Sequence, residues 1–249
     1  AVFRQMGRGN IDANLEIWPA NAAPSYRDMV MDRELVEMGE LGLTLSEGLA
    51  YPAHMEATCP GLPALDALRA CTAAFATDGG APVLVDYPSD WDGQGADLMA
   101  ALDLSFTATP AASEAALVEA LVKASTDGTP ALAMFWQPHW AVSAYDLTFV
   151  DLPAGTPECY EDPSWGVNPD ATFDCDFLPS RIFKVAWSGF EEQWPAAYEI
   201  LEAYQLATED QQPMMGAVDV DGQSVEEVAA AYVEANSEEI SAMIAAATE

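Results

Sequence analysis

Residues 82–136 read PVLVDYPSDWDGQGADLMAALDLSFTATPAASEAALVEALVKASTDGTPALAMFW. Pro82–Tyr87 is a short apolar run closed by Pro88, the pattern of a buried strand. Gln94–Leu102 follows as a helix, Leu104–Thr109 as a second short strand, and Ser113–Ser125 as an amphipathic helix. Ala131–Trp136 is the next strand. Strand and helix in alternation predict an α/β fold with largely parallel sheets.

The rhythm extends both ways. Upstream, residues 10–18 alternate, with Ile11, Ala13, Leu15 and Ile17 on one face of a strand. A helix after Pro24 would carry Met29, Val30, Leu35 and Val36, and Pro63 suits the first position of a helix over Ala64–Phe75. Downstream, Leu147–Asp151 and Ile182–Ala186 read as strands, Glu191–Tyr204 as a helix, and Ser224–Ala247 as strongly helical. Residues 153–180 break the pattern: five prolines, two cysteines and many acids predict a long loop. No internal repeat or low-complexity linker is present, so two lobes would have to be interwoven.

At 249 residues, 51% of them hydrophobic, the chain can bury a substantial core and is not a disordered acidic tail. It carries 41 Asp and Glu against 8 Lys and Arg, a net charge of -33. Phosphate recognition needs clustered cations, so nucleic acid is excluded as a partner. Such acidity suits solubility in a salty medium that screens self-repulsion, with an acid surface for one cationic partner as the alternative. No run of 18 apolar residues could span a membrane. No export signal is visible, and residues 1–9 read as the last turns of a helix, so further residues are expected upstream.

Four cysteines allow three connectivities, of which the local pairs Cys59–Cys71 and Cys159–Cys175 are the simplest. Their Pro-, Gly- and Asp-rich flanks suit disulfides in an oxidising compartment, with buried thiols as the alternative. Zinc would want Cys-x-x-Cys knuckles or nearby histidines, which are missing.

Enzyme motifs are missing too. His54 and His139 are the only histidines, and no nucleophile elbow, zinc helix, P-loop or dinucleotide fingerprint occurs. Both histidines read as hydrogen-bonded structural residues. A carboxylate-only hydrolase stays open, but so many acids guarantee chance pairs. The tryptophans say more. Trp18, Trp91 and Trp136 stand at or just beyond strand ends, where ligands bind in parallel α/β sheets. Converging indole faces attract a methylated cation through the ring quadrupole, whereas any one of them alone could be ordinary packing. Trp165, in the long loop, could lid such a site; Trp187 and Trp194 read as packing residues.

Three stretches carry a family resemblance: GRGNIDANLEIWP at 7–19, residues 128–153 with FWQPHW and YDLTFVDLP, and residues 184–236 with GFEEQWP and DQQPMMGAVDV. The chain resembles the substrate-binding proteins of ABC importers for glycine betaine, proline betaine, choline and trimethylamine N-oxide. That resemblance implies a two-lobed periplasmic-binding-protein fold (type II) with the ligand in the interlobe cleft, and no catalysis. It implies a periplasmic location, a membrane permease as partner, and lobes of residues 1–51 with 148–249 and of residues 52–147. Family members begin with a strand, helix and strand that this chain lacks, which removes one possible cage wall. Carried over by position, Trp18, Trp136 and Trp91 match cage aromatics.

A betaine carboxylate would need donors such as the amides of the turn at 92–95, yet Asp92 and Glu56 make a poor carboxylate trap. Glu56, if neutral, suits an amine oxide, a solvated carboxylate at a helix start being the alternative. Trimethylamine N-oxide is therefore favoured over glycine betaine, with choline third. Rival readings are a choline or betaine receptor or sensor domain, and a periplasmic enzyme using Glu56 or Asp92 as base. The loop from Cys159 to Cys175 offers Asp162, Asn168, Asp170 and Asp174 as hard oxygen ligands, with Asn168 and Asp170 central to a calcium site. Their spacing is not that of an EF-hand, and a merely solvated acidic loop is the alternative.

Overall fold

The computed structural model describes residues 2–18, 24–77, 79–91, 93–178 and 180–248. The chain divides into two compact units: Ala1–Leu45 with Ser180–Glu249, and Ser46–Pro179.

The first unit opens with α1 (Val2–Met6), β1 (Ala13–Ile17), α2 (Pro24–Met31) and the long strand β2 (Leu35–Pro52), which runs on into the second unit. The second unit continues with α3 (Met55–Thr58), α4 (Leu65–Cys71), β3 (Val83–Asp86), α5 (Gly95–Ala101), β4 (Thr107–Pro110) and α6 (Glu114–Asp127). It is completed by β5 (Leu132–Gln137), α7 (Trp140–Ala144), β6 (Leu147–Phe149) and α8 (Pro157–Glu161). The chain then returns to the first unit through β7 (Ser180–Trp187), α9 (Phe190–Gln193), α10 (Pro195–Ala203), α11 (Thr208–Asp219), α12 (Val225–Ala235) and α13 (Ser237–Ala246).

In the first unit β7 is central, antiparallel to β1 on one side and to the first part of β2 on the other. Met6, Ile17, Tyr26, Met29, Leu35 and Val185 form one core cluster; Leu41, Leu43, Ile182 and Leu206 form another, against which Trp18 packs. Lys184 is 0% exposed, and its ammonium donates to the carbonyls of Glu202 (2.7 Å) and Tyr204 (2.6 Å), capping the C-terminal end of α10. Burial pushes its pKa down.

In the second unit the order is β2–β5–β3–β4, with β6 on the other side of β2. Leu132, Ala133, Met134 and Phe135 of β5 are all 0% exposed, as expected for a strand covered on both faces. Helix α6 has the local signals its sequence promises. Ser113 Oγ accepts from Ala116 N at 3.2 Å, and Gly128 ends the helix in the left-handed conformation (φ 66°). Both local disulfides are present, Cys59–Cys71 and Cys159–Cys175, with Cα separations of 5.7 and 6.5 Å.

Several sequence expectations are corrected. Only β3–β4 and β3–β5 pair in parallel; the pairings of β1, β2, β6 and β7 are antiparallel. Leu35 and Val36 lie in β2, not in the helix after Pro24. The alternation of β2 is hidden by Gly39 (φ 81°) and Gly42 (φ 103°), which sit where its pairing with β7 shifts register. Adding a side chain at Gly42 would place Cβ 2.7 Å from Gln205 Oε1. Residues 153–180 contain α8, capped by Thr156. The helix expected over Ala64–Phe75 is α4 followed by a 3-10 turn, Thr72–Phe75. That over Glu191–Tyr204 is divided at Trp194–Pro195, and that over Ser224–Ala247 is α12 and α13.

Candidate functional site

Strands β3 and β5 run side by side in the same direction, Leu84 opposite Leu132 and Val85 opposite Ala133. Their C-terminal ends therefore open on one edge, the usual ligand position in such sheets. Three rings meet there. Trp136, 9% exposed, comes from β5; Tyr87, 9% exposed, directly follows β3; Trp91, 42% exposed, ends the 3-10 turn Ser89–Trp91. Ring centroids are 5.5 Å apart for Trp91–Trp136, 5.8 Å for Tyr87–Trp91 and 5.9 Å for Tyr87–Trp136. Interplanar angles of 47°, 59° and 63° make this an angled cluster, not a stack.

The turn bearing Trp91 is fastened by Asp86, a carboxylate only 5% exposed. Its Oδ1 accepts from Tyr87 N at 2.8 Å and its Oδ2 from Gly95 N, the first residue of α5, at 3.0 Å. Side chains at Gly93 or Gly95 would put Cβ within 2.9 or 2.7 Å of that carboxyl group, so the close approach demands glycine. The Gly95 amide, one of the donors the sequence offers for a ligand carboxylate, is thus already engaged by Asp86.

Behind Trp136 stand Phe135 (4.7 Å between centroids) and His139 (5.1 Å, 84°). His139 is 3% exposed; its Nδ1 accepts from Ala141 N at 3.1 Å, capping α7. Burial lowers its pKa to about 4, so it is a neutral wall at physiological pH and a structural residue. Tyr87 donates its hydroxyl to Phe135 O at 3.1 Å, and burial, Glu47 and Asp86 hold its pKa well above the ordinary value.

Glu47 completes the neighbourhood. It faces Trp136 in the β2–β5 ladder, and burial raises its carboxyl pKa above the ordinary range. Cross-strand partners project from the same face of a sheet, so the carboxyl belongs on the side that Trp136 occupies.

Of the residues nominated by sequence, Trp91 and Trp136 come together. Trp18 belongs to the first unit, where its indole donates to Glu16 Oε1 at 3.0 Å. Glu56 is exposed on α3 and accepts from Tyr51 OH at 3.4 Å. Trp165 is 55% exposed and pairs with no other ring among the described residues. Asp92 lies outside the described residues. In the loop from Cys159 to Cys175, Asp170 N donates to Asn168 Oδ1 at 3.0 Å, and Asn168 N donates to the buried Asp174. No group of three or more His, Cys, Asp or Glu that could hold a metal ion occurs among the described residues. Sequence reasoning missed Tyr87 and Glu47. Tyr87 closes the quoted strand and could have been found there; Glu47 sits on β2, whose strand pattern the glycines interrupt.

Residues 1–235 match the family model OpuAC, described as the substrate binding domain of ABC-type glycine betaine transport systems. The chain is 28% identical over 247 residues to the trimethylamine N-oxide-binding protein of Pelagibacter ubique (strain HTCC1062), covering 95% of this chain and 76% of that protein. Among solved structures it is similar to an ABC-transporter choline-binding protein in complex with choline (TM-score 0.64, 16% identity, 98% of this chain and 78% of that one). A similar likeness holds to the glycine betaine/L-proline-binding protein of Borrelia burgdorferi (TM-score 0.64, 18% identity, 96% and 80%). These structural likenesses show the fold, that of type II periplasmic binding proteins.

Proposed function

Since this chain belongs to the family of substrate-binding domains of ABC-type glycine betaine transport systems, we propose that its Tyr87–Trp91–Trp136 cluster captures a methylated amine osmolyte, trimethylamine N-oxide foremost. The family is one of transport receptors, not enzymes, and a small ligand and a membrane permease are the partners it implies. The carrying observation is the cluster itself: three rings within 5.9 Å of one another at the ends of two parallel strands, with Trp91 42% exposed. A hydrated methylammonium group exchanges its water for ring faces whose quadrupoles attract it, gaining roughly 0.5–2 kcal/mol per ring according to desolvation. Two disulfides fit an extracytoplasmic setting. The ligand preference rests on the similarity to the trimethylamine N-oxide-binding relative and on the acid groups near the cluster, which suit an amine oxide better than a second carboxylate.

The test is calorimetric titration with trimethylamine N-oxide, glycine betaine and choline, repeated on Trp91→Ala. Trp91 is exposed enough to be removed without emptying a core, so loss of binding would report recognition and not unfolding. Loss of one ring should weaken the preferred ligand by roughly 2- to 30-fold. Unchanged affinity would move the site elsewhere, and strongest binding of glycine betaine would replace the ligand. Trp18→Ala, Glu56→Gln and Trp165→Ala, in the same titration, examine the other residues nominated by the sequence.

A further inference from the structure

Trp165 and Val167 stand on the surface of the second unit, 55% and 52% exposed. A lone exposed apolar side chain means little. These two differ because the turn that bears them is held from both sides. Before it, Asp162 Oδ1 accepts from Ser164 N (2.9 Å) and Oγ (2.7 Å), and Trp165 N donates to Asp162 O at 3.0 Å. After it, Asn168 N donates to the carboxylate of Asp174, which is 0% exposed, and Asn168 Nδ2 donates to Ala101 O on α5 at 2.9 Å. Gly166 lies so close over Asp174 that a side chain there would collide with the carboxyl group. The Cys159–Cys175 disulfide closes the loop around these contacts. Chain geometry keeps the Cα atoms of Trp165 and Val167 within about 7 Å of each other. A fixed turn thus holds an indole and a branched aliphatic group out in water.

The charge around the turn is one-sided. Residues 152–179 hold six Asp and Glu and no Lys or Arg, and four of those acids, Glu158, Glu161, Asp162 and Asp170, are exposed. A large apolar side chain inside a polar rim is the usual anchor of a protein interface. A turn already fixed also loses little freedom on contact. Resting on the reading of this chain as a transport receptor, we propose that Trp165 and Val167 dock it to the permease of its importer, entering an apolar hollow rimmed by Lys or Arg. The acids steer the approach and the ring supplies the hold. A receptor must leave its permease after each delivery, which suits a small rigid contact better than a broad apolar face. Asn168 is anchored at the end of α5 remote from Gly95 and the Trp91 turn, so the docking turn can be altered without touching the aromatic cluster.

The importer's permease with its ATPase subunits, reconstituted in proteoliposomes, is supplied with the protein and trimethylamine N-oxide, and ATP hydrolysis is followed against protein concentration. Trp165→Ala with Val167→Ser should raise the half-saturating concentration about tenfold or more and leave the maximal rate unchanged. Its calorimetric affinity for trimethylamine N-oxide should stay within about twofold of wild type, with the same thermal midpoint. Trp165→Phe alone keeps a ring on the turn and should stay within about threefold of wild type in half-saturation. An unchanged half-saturation in the double variant would overturn the assignment. So would a lower maximal rate at unchanged half-saturation, which is a defect of delivery and not of docking. Loss of ligand affinity would place Trp165 at the ligand instead. A wild-type half-saturation that does not rise with sodium chloride would overturn the cationic rim. Wild type that binds trimethylamine N-oxide but never stimulates the ATPase would overturn docking and spare the ligand reading. Wild type that binds no methylated amine would remove the ligand reading, and the shift in half-saturation would still decide docking.

Discussion

Replacing Gly95 by alanine should destabilise the protein only while Asp86 is present. Gly95 is the first residue of α5 and does not adopt a left-handed backbone, so alanine there costs no backbone strain. On chain entropy alone the substitution would stabilise by about 0.5–1 kcal/mol. The new Cβ, however, would lie 2.7 Å from Cγ and Oδ2 of Asp86, well inside van der Waals contact. The carboxylate must give way, and it now holds the amides of Tyr87 and Gly95 at 2.8 and 3.0 Å. Loss of one charge-assisted hydrogen bond costs about 1.5–3 kcal/mol, leaving Gly95→Ala a net ~0.5–2.5 kcal/mol less stable. In an Asp86→Ala background nothing remains to clash, and alanine should be neutral or stabilising. The entropic gain cancels in the double-mutant cycle, which should therefore show a coupling of roughly 1.5–3 kcal/mol. Urea denaturation followed by tryptophan fluorescence measures it, and Trp91 on the same turn should report the displacement in the folded state. Additivity within about 0.5 kcal/mol would refute the claim that Asp86 and Gly95 fasten this turn.

Three further outcomes are expected. Glu47 has a folded-state pKa raised by burial, so it favours folding in acid and loses that contribution as pH rises through the raised value. Glu47→Gln should therefore be more stable than wild type at neutral pH, with the difference shrinking on acidification toward the ordinary glutamate pKa of 4.5; thermal scans across pH read this, and a constant difference would contradict it. Added salt should raise the Tm: the net charge is -33, and screening shortens from about 30 Å near 0.01 M to about 3 Å near 1 M. A Tm that falls with sodium chloride would mean attractive pairs outweigh the repulsion, although only three ion pairs occur among the described residues. Removing the Cys159–Cys175 bridge with a double Cys→Ser variant should cost about 2–4 kcal/mol, since it frees a sequence separation of 16 residues, and an unchanged urea midpoint would count against that.

Much of the second unit was legible because its elements obey local rules. β3 and β5 are apolar runs bounded by prolines, and α6 is announced by Ser113 and dismissed by Gly128. Trp91 and Trp136 were legible as a pair for the same reason, each standing at the end of such a run. β2 was not, because two glycines with positive φ break its period where the ladder shifts register. Glu47 was lost with it, since a glutamate in a stretch without an assigned strand has no face and no neighbour. Strand direction was also beyond local pattern. Antiparallel β6 and β7 read, residue by residue, much like parallel strands, and their pairing is fixed by partners far apart in sequence. Helix α11, with Pro213 inside it, drew no prediction because an internal proline argues against a helix.

The sealing of Lys184 has a practical corollary. The sequence has just two lysines, and Lys184 is 0% exposed with its ammonium held by two carbonyls. Lys123 stands on the outer side of α6, its side chain 68% exposed. An amine-reactive dye will therefore find one lysine and spare the other. Helix α6 packs on β3 and β5, the two strands that carry the aromatic cluster. The native chain thus comes with a single-lysine handle for attaching a fluorophore to the unit that holds the candidate site, with no cysteine engineering and no disturbance of either disulfide.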